Sequence, residues 1–382
     1  MQTSTHCFNE THEQARQTAQ RFVEREVLPH IDEWEEAGEF PRELYRKAAD
    51  AGLLGVGYPE ALGGTGEGDL FLKVAVSEAL MRSTSGGLVA GLGSHDIALP
   101  PIVKWGPKAM RERVVPEVLR GDAVAALAIT EPGGGSDVAS LRTRAERDGD
   151  HYRINGSKTF ITSGHRADYY TVAVRTGEAG HNGISMLLVE RDTPGFSRGR
   201  MLKKTGWWAS DTAELFFEDV RVPAENLIGQ ENGGFMVIMT NFLQERLMLC
   251  IMGAMTARLA LEKAMDYSRE REAFGRTISG FQVTRHKLVD MATRVELATQ
   301  YTYHCAALMD AGKAPVKEVA MAKNFTAEVA EEVTREAVQL HGGMGYMREA
   351  GVERLARDAR ILAIGGGTTE IMKELIARQM GL

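Results

Sequence analysis

The spacing of apolar residues divides the chain into three textures. From Asn9 to about Gly121 the period is helical. Residues 13–34 carry apolar side chains at helical intervals, Phe40-Pro41 interrupts them, and residues 42–51 resume until Gly52. A loop dense in turn formers, Gly63-Gly64-Thr65-Gly66-Glu67-Gly68-Asp69, precedes another helical run over 73–81. Beyond Asp122 the pattern predicts strands at 123–129, 152–154, 159–162, 169–174, 185–190 and 213–217. Asp148-Gly149, Asn155-Gly156 and Pro194-Gly195 read as turns between them. Short strands at close spacing, with no helices between, predict a small β-barrel or sandwich. After Pro223 the helical period returns over 235–271, 284–311, 316–340 and 370–379, and long helices with short connections predict an antiparallel bundle.

Composition narrows the class. The 382 residues are 43% hydrophobic and 25% charged, which excludes disordered and collagen-like chains and suits two or three domains. A net charge of −7 speaks against a nucleic-acid partner. Cys7, Cys250 and Cys305 are odd in number and far apart, so neither a disulfide framework nor a C-x-x-C site is expected. A reducing, cytoplasmic setting follows as an expectation. Apolar stretches such as 247–255 fall short of the roughly 20 residues that span a bilayer, and no membrane span is expected. The polar N-terminus, with Glu10 and Glu13, carries no visible signal or transit peptide; a trimmed chain would look the same.

Neither G-x-G-x-x-G nor a Walker A motif is present, which speaks against a Rossmann dinucleotide site and a P-loop ATPase. Three glycine clusters stand out instead. Thr130-Glu131-Pro132-Gly133-Gly134-Gly135-Ser136-Asp137 follows an apolar strand. Its bare backbone can approach a flat or phosphorylated group, or can simply form a long turn. Gln339-Leu340-His341-Gly342-Gly343-Met344-Gly345-Tyr346 ends a helical run. Gly365-Gly366-Gly367-Thr368-Thr369-Glu370 precedes the last helix, where Thr368 or Thr369 can cap. Three such clusters together point to a large cofactor. Glu245 shares a helix face with Asn241, Phe242, Met248 and Leu249, none of them basic. A carboxylate on an apolar face is desolvated and its pKa rises towards neutrality, as a general base requires; an ordinary core-edge Glu paired with a distant Arg is the alternative. Arg246 points to another face and can hold a phosphorylated ligand or a carboxylate. Arg269-Glu270-Arg271-Glu272 with Arg276 reads as a solvated charged face, and Trp207-Trp208 as packing. His286, His304 and His341 lack ligand spacing, so no metal is assigned.

The order of Thr130-to-Asp137, Asn155-Gly156-Ser157-Lys158-Thr159-Phe160-Ile161-Thr162, Ser210-Asp211-Thr212, Arg271-Glu272-Ala273-Phe274-Gly275-Arg276, Gln339-to-Tyr346 and Gly366-to-Glu370 resembles the acyl-CoA dehydrogenase family over nearly the whole chain. Residues 212–219, Gln244-Glu245-Arg246-Leu247 and residues 366–376 look most like its long-chain branch. The resemblance implies an α+β multidomain fold: an N-terminal helical domain (1–122), a middle β-barrel domain (123–230) and a C-terminal four-helix bundle (231–382). It implies FAD against Leu127, Ile129, Thr130, Gly135, Ser136, Phe160, Ile161 and Thr162, with Thr368, Thr369 and Glu370 near its ribityl and phosphate portion. Arg271, Phe274, Phe281, Gln282, Gln339, Leu340, Gly342 and Gly343 match positions that reach the adenosine part from or near a neighbouring subunit. Ser136, Arg246 and Gly367 match acyl-CoA contacts. Many members carry the catalytic Glu where this chain has Gly366; a minority carry it on the long helix, at the position of Glu245. Trp208 stands where many relatives have Arg.

The implied reaction is α,β-dehydrogenation of a medium- to long-chain or branched acyl-CoA to the trans-2-enoyl-CoA. Glu245 would be the base, and the Gly366 N–H with a flavin ribityl hydroxyl would polarise the thioester. Electrons would pass to an electron-transferring flavoprotein, and the assembly would be a homotetramer, a dimer of dimers. The alternatives on the same fold are an acyl-CoA oxidase, a flavin monooxygenase or an inactive acyl-CoA-binding homologue.

Overall fold

The computed structural model describes residues 7–382; residues 1–6, where the expected N-terminal domain begins, lie outside them. Helix α1 (Glu10–Phe22) opens with a reciprocal cap, the Asn9 side chain accepting from His12 N–H at 3.0 Å and His12 Nδ1 from Asn9 N–H at 3.1 Å. The pattern over 13–34 predicted one helix, but the chain departs from it. After α1 comes a π-helical turn, Val23–Val27, and the chain restarts as α2 (Ile31–Ala37). Pro29 lies in the break and lacks the N–H a continuing helix needs. Helices α3 (Glu43–Asp50), α4 (Leu70–Met81), α5 (Gly86–Leu92), α6 (His95–Trp105) and α7 (Lys108–Leu119) complete the helical third.

Eight strands follow: β1 (Ala125–Ala128), β2 (Arg144–Asp148), β3 (His151–Thr162), β4 (Tyr169–Arg175), β5 (Ile184–Glu190), β6 (Phe196–Met201), β7 (Thr212–Pro223) and β8 (Leu227–Ile228). They pair as one path, β6-β7-β3-β2-β4-β5-β8, with β1 parallel to β4. The expected turn at Asn155-Gly156 is absent: residues 151–162 are one strand with a register shift at Ile154/Gly156. The Asn155 side chain accepts from Asp219 N–H at 2.9 Å and donates to Asp219 Oδ1 at 3.0 Å. Gly156 sits at φ +147°, where an added Cβ would come 2.7 Å from Thr143 Cα. Asn-Gly therefore makes a bulge here rather than a hairpin.

The last third is α8 (Gly234–Glu270), a small hairpin β9 (Glu272–Ala273) and β10 (Arg276–Thr277), then α9 (Gln282–Asp310), α10 (Val316–His341), α11 (Val352–Ala359) and α12 (Thr369–Gln379). Helix α10 packs against α8, α9, α11 and α12. The eight-residue α11 was not expected from the pattern. Nor was the apolarity of α8, which is long and apolar enough to cross a membrane by length and composition. Its residues 250–261 are all buried, within the core it shares with α9 and α10. Cores are shared across the thirds: one joins α1–α3 to the sheet, and another joins α6 and α7 to β4, β5 and the start of α8.

Candidate active site

Strand β1 delivers the first glycine loop. Glu131 N–H donates to Gly134 O at 3.2 Å and Gly134 N–H to Glu131 O at 3.0 Å, closing a tight turn. The Glu131 carboxylate is turned away from solvent. It accepts from the N–H groups of Arg142 (2.6 Å) and Thr143 (2.8 Å) and pairs with Lys158 at 2.9 Å. Lys158, 0% exposed, also donates to Ile129 O at 3.0 Å. Burial pushes this ammonium down to about 8, against the pull of Glu131. Burial opposes ionisation of Glu131, but Lys158 and the donated hydrogen bonds hold its pKa below the usual value. Thr159 N–H donates to Thr130 O at 2.9 Å, so the loop and the Phe160-Ile161-Thr162 segment lie side by side. Phe160 holds φ +60° and is 68% exposed, while Gly133 and Gly134 face open space. Gly135 and Ser136 are exposed, and Leu127 and Thr130 half-buried.

The second centre is built by α8 and the loop before α12. Glu245 is half-buried, and its Oε2 is sealed from solvent without a hydrogen-bond partner. Desolvation raises its carboxyl from 4.5 to about 7, although Arg246 and Lys323 pull the other way. A Cβ added at Gly366 would stand 3.9 Å from Glu245 Oε1, so the two positions that the resemblance marks for a base lie close together. Arg246 and Glu245 are not separated as their sequence adjacency suggested: Arg246 Nε donates to Gly366 O at 3.0 Å. The Arg246 guanidinium also lies over the Phe242 ring at 5.3 Å. Lys323 of α10 donates to Gly367 O, and Asn324 Nδ2 to Thr369 O at 3.1 Å. Of the two candidate caps, Thr368 is the one, accepting from Ile371 N–H at 3.3 Å; Glu370 stays exposed in the first turn. Among the described residues no protein acceptor takes the Gly366 N–H, which remains available to a ligand.

A third group stays apart within the chain. Phe274, 96% exposed at the tip of the β9–β10 hairpin, meets Phe281 edge-on at 6.3 Å. Arg276 lies 4.0 Å above Phe281, and Arg271 O accepts from Ile278 N–H. Gln282 and Gln339 are exposed and Leu340 is half-buried; Gly342 and Gly343 face open space where α10 ends. No hydrogen bond among the described residues joins this group to the loop at 130–137. Exposed aromatic faces, open glycine backbone and a capped helix start suit a cofactor with a planar ring and phosphates. Within the first loop the Glu131 carboxylate is withdrawn, held by Lys158 and two backbone N–H groups, while Asp137 is exposed and accepts from the Ser140 hydroxyl at 2.6 Å.

Sequence reasoning gave no role to Glu131, Lys158, Lys323 or Asn324. Lys158 did leave a trace, as a lysine on the inward side of a strand otherwise marked by Tyr152 and Ile154. The tryptophans pack as expected. Trp207 presses on Gly86 and Gly87, and Trp208 is stacked by Arg357 at 3.6 Å and Arg348 at 4.6 Å.

The arrangement can be set against known proteins. Family models for the acyl-CoA dehydrogenase N-terminal, middle and C-terminal domains match residues 9–122, 126–220 and 232–381. The chain belongs to the acyl-CoA dehydrogenase family. It is 41% identical over 377 residues to the mitochondrial long-chain specific acyl-CoA dehydrogenase of Mus musculus, covering 98% of this chain and 87% of that one. An acyl-CoA dehydrogenase structure from Geobacillus kaustophilus is 41% identical, with TM-score 0.96 and full coverage of both chains. A glutaryl-CoA dehydrogenase from Mycobacterium smegmatis, solved in complex with FADH2, is 26% identical with TM-score 0.92, covering 98% of this chain and 95% of that one.

Proposed function

We propose that this acyl-CoA dehydrogenase removes the α-proton of its substrate with Glu245, and that the substrate is a medium- to long-chain or branched acyl-CoA. The observation that carries the reading is the desolvated Glu245 carboxylate, its Oε2 unpartnered and its Oε1 beside Gly366. Bound FAD would supply the acceptor for the β-hydrogen and its electron pair, and the product would be the trans-2-enoyl-CoA. An unactivated α-C–H is too weakly acidic for any carboxylate, so donors must await the charge that develops on the thioester oxygen. The free Gly366 N–H serves this role and needs no side chain. Arg246 and Lys323 fix its loop from behind. Leu127, Ile129, Thr130, Gly135, Ser136 and Phe160-Ile161-Thr162 would hold the flavin, Thr368, Thr369 and Glu370 its ribityl and phosphate part, and Ser136 and Gly367 the thioester end of the substrate. Arg246 serves the substrate through the Gly366 carbonyl.

Only the ionised carboxylate can accept a proton. The kcat/KM is therefore expected to climb about tenfold per pH unit below about 7 and to level off above it. A flat profile between pH 5 and 7 contradicts Glu245 as the base. Moving the base is testable too. Gly366→Glu in a Glu245→Gln background meets Leu249 Cδ1 at its Cβ, with the backbone at φ +65°. Adding Leu249→Ala is expected to raise the turnover of that double variant; no gain would show that the loop, not Leu249, blocks the carboxylate.

Similarity to a long-chain enzyme supports the acyl class. A homotetramer, a dimer of dimers, is supported by the bare Phe274 and by Val283, Val289 and Leu297, 56–64% exposed along α9. In it Arg271, Phe274, Phe281, Gln282, Gln339, Leu340, Gly342 and Gly343 would reach the neighbour's cofactor. An electron-transferring flavoprotein is the proposed acceptor. Three free cysteines suit a cytoplasmic setting. Hydrogen peroxide released in step with substrate oxidation would instead identify an oxidase.

A further inference from the structure

Lys323 is 1% exposed on α10, and its ammonium donates to the Gly367 carbonyl, one residue beyond the carbonyl held by Arg246. A lysine buried this deeply normally needs a carboxylate in contact, and none among the described residues ion-pairs with it. The groups around it are Glu245, Arg246 and the Cys250 thiol from α8, and Glu370 from α12. Burial lowers it to about 8, with Arg246 adding to the fall and Glu245, Glu370 and Cys250 opposing it.

We propose that Lys323 is a positioning residue for the reaction: its one charge clamps the loop that carries the Gly366 N–H and biases Glu245 towards its ionised, proton-accepting form. The proposal rests on the reading of Glu245 as the base. Two jobs then belong to one ammonium. Arg246 holds the Gly366 carbonyl and Asn324 the Thr369 carbonyl, so losing Lys323 frees the Gly367 carbonyl between two anchors that remain. Glu245 Oε1 lies beside Gly366 and Lys323 bonds the next carbonyl, so the two charges share one loop; Arg246, and after it Lys323, oppose the rise that burial imposes on the Glu245 carboxyl.

The test compares Lys323→Met, Lys323→Gln and Lys323→Arg with the wild-type holoenzyme in two readouts. One is the pH profile of kcat/KM. The other is an infrared titration of the Glu245 carboxyl band, assigned by its disappearance in Glu245→Gln. Lys323→Met is expected to move both midpoints upward together, since Arg246 is then the cation left to oppose the burial of Glu245. Lys323→Gln, which keeps a donor for the Gly367 carbonyl and so guards against misfolding, is expected to show the same shift with a smaller fall in kcat. Lys323→Arg is expected to leave both midpoints near the wild-type value. A folded Lys323→Gln whose midpoints do not move overturns the proposal. An acid limb that persists in Glu245→Gln refutes the base assignment itself, and the proposal with it.

Discussion

Glu245→Gln is expected to lower turnover by about 10²–10⁴-fold while the protein still binds flavin and acyl-CoA. Glutamine keeps the volume and the polar tip of the side chain but cannot take a proton. The variant is not expected to unfold. With its pKa raised from 4.5 to about 7, the Glu245 carboxyl binds its proton more tightly in the folded than in the unfolded state. Its contribution to stability therefore falls as pH rises from about 4.5 and is lost through about 7, leaving the cost of a buried charge above that pH. Removing the charge removes the cost, so Glu245→Gln is expected to melt at or above the wild-type temperature at pH 8. Calorimetry and steady-state kinetics on one preparation check both halves. A variant with more than a tenth of wild-type turnover would contradict the assignment.

The second large effect lies at the first glycine loop. Lys158→Met is expected to cost about 3–5 kcal/mol of stability and to yield protein with little bound flavin. Lys158 is wholly buried, and its loss leaves Glu131 charged, 8% exposed and held by two backbone N–H groups alone. Lys158 ties the strand to Ile129 O and the Glu131 carboxylate ties the loop to Arg142 and Thr143, so the backbone proposed to face the flavin should loosen when the pair is broken. Neutralising the orphaned partner tests the cause: Glu131→Gln added to Lys158→Met is expected to recover part of the lost stability, because a buried pair removed together costs less than one member removed alone. Denaturant unfolding and the flavin-to-protein absorbance ratio are the readouts. A loss below about 1 kcal/mol in Lys158→Met would place the loop's support elsewhere.

Much of this was legible from the chain alone, for identifiable reasons. The helical period over 316–340 marked α10 closely, because one face of that helix is buried and the pattern records it; 370–379 marked α12, where Met372 is the buried residue. Glu245 was legible as a carboxylate on an apolar helix face, a local property that three to four residues of context define. What failed was non-local. Asn155-Gly156 looks like a hairpin turn until Asp219 of the neighbouring strand claims the Asn155 side chain. The helix over 13–34 looks continuous in its apolar spacing, which does not register the N–H that Pro29 lacks. Helix geometry puts Arg246 on another face from Glu245 but does not show its backbone partner, because Gly366 lies 120 residues away. Lys323 carried no signal at all, since its partner is a backbone carbonyl, and a backbone carbonyl has no sequence signature.

The most direct measurement is an anaerobic titration of the purified, flavin-loaded protein with a panel of acyl-CoAs, followed by visible absorbance beside Glu245→Gln. The wild type is expected to lose its flavin absorbance with medium- to long-chain or branched acyl-CoA, and Glu245→Gln to bind the same ligand and keep its colour. Bleaching of Glu245→Gln at the wild-type rate, or a wild type that no acyl-CoA bleaches, would contradict the account.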